Sequence, residues 1–229
     1  MKNIFYILFL SFAVSSASIA CYDEKVSDKQ NFDNCLLVAE QGDSDEQNDI
    51  GAMYEAGQGV SQDYQKAAYW YAKSANQGNF TAQSNLGTLY VIGEKKDYQQ
   101  AIYWYRKAAA QGYAAAQDNL GVMYTNGEGT RQNYHTAVKW YIKSAAQNYT
   151  LAQFNLALMY YEGLGVDKSI EMSYIWNTIA EYNGNDQASK SRMLDEKKLS
   201  PSQIELAKEK ADSMYYKIKD GKYFGERRI

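Results

Sequence analysis

Groups able to do covalent or proton-transfer chemistry are few in this chain. Among 229 residues there is one histidine, His135, and there are two cysteines, Cys21 and Cys35. A histidine acting as general base needs a nucleophile to deprotonate. His135 stands beside Tyr134 at the start of a periodic apolar stretch, with no serine or cysteine in sequence context, and reads as a surface or capping residue. Two cysteines and one histidine cannot furnish a zinc module. Pairs of the form Gly-x-Gly occur at Gly57 and Gly59, Gly127 and Gly129, and Gly163 and Gly165. A phosphate cradle would need a strand before them and Gly-Lys-Ser/Thr after them; neither is there, so they read as turns in which glycine supplies positive φ. No catalytic residue, cofactor or metal is expected.

Composition narrows the classes further. With 45% hydrophobic and 22% charged residues the chain has ordinary globular proportions, and a formal net charge of -3 leaves no basic field for a nucleic-acid backbone. Residues 1–20 carry one charge, Lys2, then an apolar run from Ile4 to Val14 and small residues ending Ser18-Ile19-Ala20. This is the pattern of a secretory signal peptide, too short to span a bilayer, and no later segment is long and apolar enough to span one. Acidic groups crowd the next stretch of chain: residues 21–63 hold eleven carboxylates and two lysines, a net of -9. The tail carries Lys217, Lys219, Lys222, Arg227 and Arg228. Two fates compete for Cys21. In an oxidising compartment it pairs with Cys35, closing a loop worth about 3 kcal/mol by chain entropy; alternatively Ser18-Ile19-Ala20-Cys21 is a lipidation box, although position 18 is Ser and acylation would strand Cys35.

The elements that position these groups are set by an internal period. Trp70, Trp104, Trp140 and Trp176, all the tryptophans present, are 34, 36 and 36 residues apart. Ahead of each stands a second recurring set: Ile50-Gly51 with Tyr54, Leu86-Gly87 with Tyr90, Leu120-Gly121 with Tyr124, and Leu156-Ala157 with Tyr160. After each glycine-rich turn, apolar and small residues recur at three and four, as in Tyr64, Ala67, Ala68, Tyr71 and Ala75, which is helical spacing. Gly78 and Gly112, with Asn148 in the third unit, sit where a helix takes a left-handed cap. Each unit is therefore helix A, turn, helix B, turn. Neither helix can bury its stripe alone, so units must stack, with small residues of helix A where helix B crosses. The expected fold is all-α, a right-handed α-α superhelix (solenoid) of helix-turn-helix repeats with terminal capping helices. Its expected organisation is a signal peptide (1–20), an N-terminal capping half-repeat (21–42), four repeats (43–78, 79–112, 113–148 and 149–184), and a C-terminal capping helix with the basic tail (185–229). In that last segment Ser200-Pro201-Ser202-Gln203 predicts a capped helix from Pro201 to about Lys219.

The strings Ala82-Gln83-Ser84-Asn85-Leu86-Gly87, Asp63-Tyr64-Gln65-Lys66-Ala67-Ala68-Tyr69-Trp70-Tyr71 and Ala108-Ala109-Ala110-Gln111-Gly112 resemble the Sel-one-like repeat, a longer-turned relative of the tetratricopeptide repeat. The likeness runs from about Cys35 to Asn185; in its last unit Ile170, Ser173 and Asn177 depart from the usual Tyr, Ala and Tyr. It implies an adaptor that presents a concave surface to peptides or protein segments. In tetratricopeptide relatives an Asn before the Leu-Gly pair reaches that surface and bonds the backbone of a bound peptide, and an amide suits the task because it both donates and accepts. Here the register holds Asp49, Asn85, Asn119 and Asn155. A second reading of the same residues is that each bonds a neighbouring helix. The inner groove is expected to be lined by Asp45, Asn48, Ala52 and Glu55, then Thr81, Ser84, Thr88 and Val91, then Ala115, Asp118, Val122 and Thr125, and finally Leu151, Phe154, Leu158 and Tyr161, the last set receiving the C-terminal helix.

The resulting expectation is an exported, non-catalytic interaction scaffold, periplasmic by resemblance, with a protein or peptide partner carrying basic residues that are steered by the acidic front. Binding would use the groove residues Asp49, Asn85, Asn119, Asn155, Asn48, Glu55, Ser84 and Asp118. An alternative is a weak β-lactam-hydrolysing or cell-wall-binding protein like the cysteine-rich members of the family; those carry a cysteine pair in each repeat, and none stands between Gly42 and Asn185 here.

Overall fold

A computed structural model describes residues 21–93 and 95–223. Among them are eleven helices and no strand: α1 (Asp28–Glu40), α2 (Ser44–Ala56), α3 (Tyr64–Asn76), α4 (Phe80–Ile92), α5 (Tyr98–Ala110), α6 (Ala114–Asn126), α7 (Tyr134–Ala145), α8 (Thr150–Glu162), α9 (Ile170–Tyr182), α10 (Asp186–Glu196) and α11 (Pro201–Lys219). Consecutive helices pack as hairpins, α2 with α3, α4 with α5, α6 with α7 and α8 with α9. The four helix A and helix B pairs are thus the expected ones, and α1 lies in the segment expected to be a capping half-repeat and packs on α2. The signal-peptide reading and the basic residues Arg227 and Arg228 fall outside the described residues.

The chain forms two compact units, α1–α5 and α6–α11, divided between Tyr113 and Ala114. In the first, Phe32, Cys35 and Ala39 of α1 share a core with Ile50, Trp70, Tyr71, Leu86 and Trp104. In the second, Val138, Tyr141, Leu156, Met159, Ile175, Trp176 and Ile179 share one with Ala207, Ala211, Met214 and Ile218 of α11. Trp70, Trp104 and Trp176 are buried. Trp140 is half-buried, and the Lys143 ammonium stands 4.6 Å from its ring centroid.

Local chemistry explains where the helices begin. Asp43, Asp63, Asn79, Asp97 and Asn133 each accept backbone N–H bonds from the first turn of the following helix, satisfying donors a helix start leaves open. Ser200 and Gln203 form the expected reciprocal capping box, with Pro201 at the first turn. Packing explains the glycines of helix A. A Cβ built on Gly51, Gly87 or Gly121 would lie 2.6, 2.8 or 2.4 Å from the ring of Tyr71, Tyr105 or Tyr141. The ring of helix B thus occupies the space a side chain would need. In the fourth hairpin the pair changes together: Ala157 stands in the glycine's place and Asn177 in the tyrosine's.

Two features differ from the sequence expectation. The segment after the fourth hairpin holds two helices, α10 as well as α11, and both pack on α9 rather than forming a hairpin with each other. The C-terminal helix was also expected against Leu151, Phe154, Leu158 and Tyr161; the apolar residues of α11 instead join the core that α9 builds, and those four remain half-buried outside it.

Candidate interaction site on the first helices

Within each unit, some of the helix-A residues expected to face a ligand bond to one another, and part of their bonding capacity is used between hairpins. In the first unit Asn85 Nδ2 donates to Asn48 Oδ1 at 3.1 Å, and Asn48 Nδ2 donates to Asp49 Oδ1 at 3.1 Å. In the second, Asn155 Nδ2 donates to Asp118 Oδ1 at 2.9 Å. Each bond between hairpins joins positions 37 residues apart, an Asn to the residue that precedes the matching register one hairpin earlier. Bonding to a neighbouring helix is therefore real for Asn85 and Asn155. One such bond uses a single N–H of the amide, leaving its carbonyl and second N–H. Asn85 and Asn119 are half-buried, whereas Asn48, Ser84, Asp118 and Asn155 are buried.

The carboxylates differ among themselves. Asp45 is exposed and accepts from Asn79 Nδ2 at 2.7 Å. Glu55 is buried and accepts from the Tyr71 hydroxyl at 2.7 Å; burial raises its carboxyl and the Tyr71 bond offsets part of that rise. Asp118 is 4% exposed. Burial pushes its carboxyl up to about 7, against the lowering effect of the Asn155 bond, so near neutrality this group is shared between its charged and neutral forms.

A second set of amides was not singled out from the sequence, although its recurrence was there to be seen. Gln77 donates to Gln47 Oε1 (2.8 Å), Gln111 to Gln83 Oε1 (2.9 Å) and Gln147 to Gln117 Oε1 (2.8 Å), each tying the end of helix B to its own helix A. Gln47 and Gln83 donate in turn to the carbonyls of Ala39 and Ala75 in the preceding helix B, at 3.0 and 3.1 Å. This set is structural. Also missed was a polar cluster at the end of the fourth hairpin, where Asp195 of α10 accepts from Ser173 Oγ at 2.8 Å and from Asn177 Nδ2 at 2.9 Å. Burial raises the Asp195 carboxyl, and the Asn177 and Ser173 bonds partly counter it. Ser173 and Asn177 are two of the three residues that depart from the repeat pattern in helix B of the fourth hairpin.

Cys21 and Cys35 form a disulfide, with Glu46 Oε2 2.8 Å from Cys21 Sγ. Among the described residues these three make the one cluster with metal-ligand proximity, their ligand atoms lying within 4.8 Å of one another. With both sulfurs joined to each other, no thiolate is offered. His135 is exposed. No described helix is long and apolar enough to cross a membrane.

A model of the Sel1 repeat matches residues 47–79, 81–113, 114–149 and 150–185. The chain is similar to the crystal structure of a protective antigen of uropathogenic Escherichia coli that displays an SLR fold, at 34% identity and a TM-score of 0.76, covering 87% of this chain and 45% of that one. It is also similar to a Sel1 repeat protein from Oxalobacter formigenes, at 31% identity and a TM-score of 0.69, covering 82% of this chain and 80% of that one. A sel1-like repeat-containing protein of Acanthamoeba polyphaga mimivirus is 38% identical over 79 residues, 34% of this chain and 14% of the viral protein. The chain thus spans less than half the length of the antigen and of the viral protein.

Proposed function

The chain belongs to the Sel1 repeat family, and from that premise we propose that it is an exported, non-catalytic scaffold that binds a peptide or protein segment on the helix-A faces of its repeats. The carrying observation is that Asn85 and Asn119 recur at one register and stay half-buried, with amide groups able to pair with a backbone N–H and C=O together. The carboxylates of α2, Asp45 and Asp49 among them, favour a partner segment with basic residues, attracted less strongly as salt screens the field. The disulfide between Cys21 and Cys35 supports an oxidising compartment, as does the leader-like composition of residues 1–20.

Crosslinking in the native cell, followed by mass spectrometry, tests the binding face. The partner crosslinked by the wild-type chain should be recovered poorly with the double variant Asn85→Ala/Asn119→Ala. Equal recovery would refute the assignment of the face. Cell fractionation with N-terminal sequencing tests export: the proposal expects an envelope or secreted product beginning at Cys21.

A further inference from the structure

In the unit formed by α6–α11, helix α8 carries Leu151, Phe154, Leu158 and Tyr161 at intervals of three and four, which places them on one face. All four are half-buried. None packs into the core of the unit, although their neighbours Tyr149 and Tyr160 do. The fold does not demand apolar residues there: the matching positions of α2 hold Asp45, Asn48, Ala52 and Glu55. At one end of the stripe the ammonium groups of Lys198 and Lys168 stand 4.1 and 5.7 Å from the centroid of the Tyr161 ring, and Lys198 also donates to the Tyr161 hydroxyl. Both lysines are exposed. Asp195 lies near enough to feel the Lys198 charge, but it is buried and bonded by Ser173 and Asn177.

We infer that this face of α8 docks a protein segment whose apolar side chains lie along Leu151, Phe154 and Leu158 and whose acidic side chains meet Lys168 and Lys198 at the Tyr161 end. The inference rests on the reading of the helix-A faces as the binding surface and names the chemistry of the ligand in the fourth repeat. From Leu151 to Tyr161 the helix rises about 15 Å, a length that an extended segment covers in about five residues. Two cations gathered over an aromatic ring at the edge of an apolar surface match a carboxylate that follows a hydrophobic run.

The probe is a fluorescein-labelled peptide, Leu-Phe-Leu-Leu-Asp-Glu, set beside one ending in Lys-Lys and one with serines in place of the apolar residues, each titrated against the whole protein by anisotropy. The apolar-acidic peptide should bind about tenfold or more tightly than either control. Lys168→Glu with Lys198→Glu changes only exposed side chains and should reverse the preference between the acidic and basic ends. Leu158→Asp should abolish binding while the melting temperature stays within a few degrees; if it unfolds the protein, Leu158→Ser serves with the charge reversal. Equal binding of all three peptides, or a preference that survives the charge reversal, overturns the inference. A dimer in sizing chromatography that Leu158→Asp dissociates also overturns it, because the occupant is then a second copy of the chain. If the peptides are not distinguished while Asn85→Ala/Asn119→Ala still loses its crosslinked partner, the inference fails and the helix-A reading stands; the opposite pair of results sinks that reading alone.

Discussion

Replacing Asp118 by Asn should change how the stability of the second unit responds to pH. In an unfolded chain an aspartate titrates near 3.9; in the folded one burial raises Asp118 to about 7, with the Asn155 bond acting in the opposite direction. The folded state therefore holds the proton more tightly, so this group stabilises the fold fully below about pH 4, and that contribution is lost as pH rises through 7. A rise of roughly three units corresponds to about 4 kcal/mol, an upper figure because partial relaxation around the ionised group reduces it. The substituted amide keeps the shape, still accepts from Asn155 and never ionises. Urea melts followed by circular dichroism at about pH 5 and about pH 8 should show a wild type that weakens between the two and an Asp118→Asn variant that weakens less, nearly matching wild type at the lower pH and exceeding it at the higher. Raised carboxyls at Asp195 and Glu55 leave a residual slope of the same sign in both proteins. Asn155→Ala removes the bond that holds Asp118 down, so its transition should move to higher pH. Equal slopes for wild type and Asp118→Asn would refute the reasoning, because they would mean that the carboxyl is solvated in solution.

Gly121→Ala should destabilise by about 1 to 3 kcal/mol, the usual range for overpacking, because the new Cβ would lie 2.4 Å from the Tyr141 ring; in a Tyr141→Ala background the same change should cost little, a coupling that a double-mutant cycle measures. Gly165→Ala should be worse than an ordinary turn substitution, since its Cβ would meet the Tyr134 backbone at 2.4 Å where φ is +72°, and thermal melts of the variant report it. Reducing the Cys21–Cys35 disulfide, or replacing both residues by Ser, should lower stability by about 3 kcal/mol, with the earliest loss of amide protection in α1. Asp195→Ala should loosen α10 ahead of the rest, because it leaves Ser173 and Asn177 buried without their shared acceptor; hydrogen exchange that stays uniform across α9 and α10 would count against that role.

The parts of this fold that were legible in the sequence are those built from contacts inside one hairpin and its neighbour. Trp70 and its counterparts announce the period, and Gly51, Gly87 and Gly121 announce the crossing, because each is a local solution repeated until it stands above chance. Helix α10 was not legible for the opposite reason. It buries only Ala188 and Asp195 and exposes Met193 and Leu194, so it has no apolar stripe to betray it, and polar contacts hold it: Asp195 on Ser173 and Asn177, and Arg192 between Glu181 and Glu196. The departures at Ser173 and Asn177 were visible, but their meaning depends on a carboxylate that no repeat pattern contains. The same division runs through the candidate site. That Asn85, Asn119 and Asn155 share a register follows from the period alone. Which of their groups are already engaged does not, since the bonds from Asn85 to Asn48 and from Asn155 to Asp118 join positions that are offset by one within their repeats. That offset makes the register serve two ends at once. Asn155, which is buried, and Asn85, which is half-buried, both tie hairpin to hairpin, while Asn85 and Asn119 stay partly exposed, so at Asn85 one amide bonds a neighbouring helix and still reaches the surface.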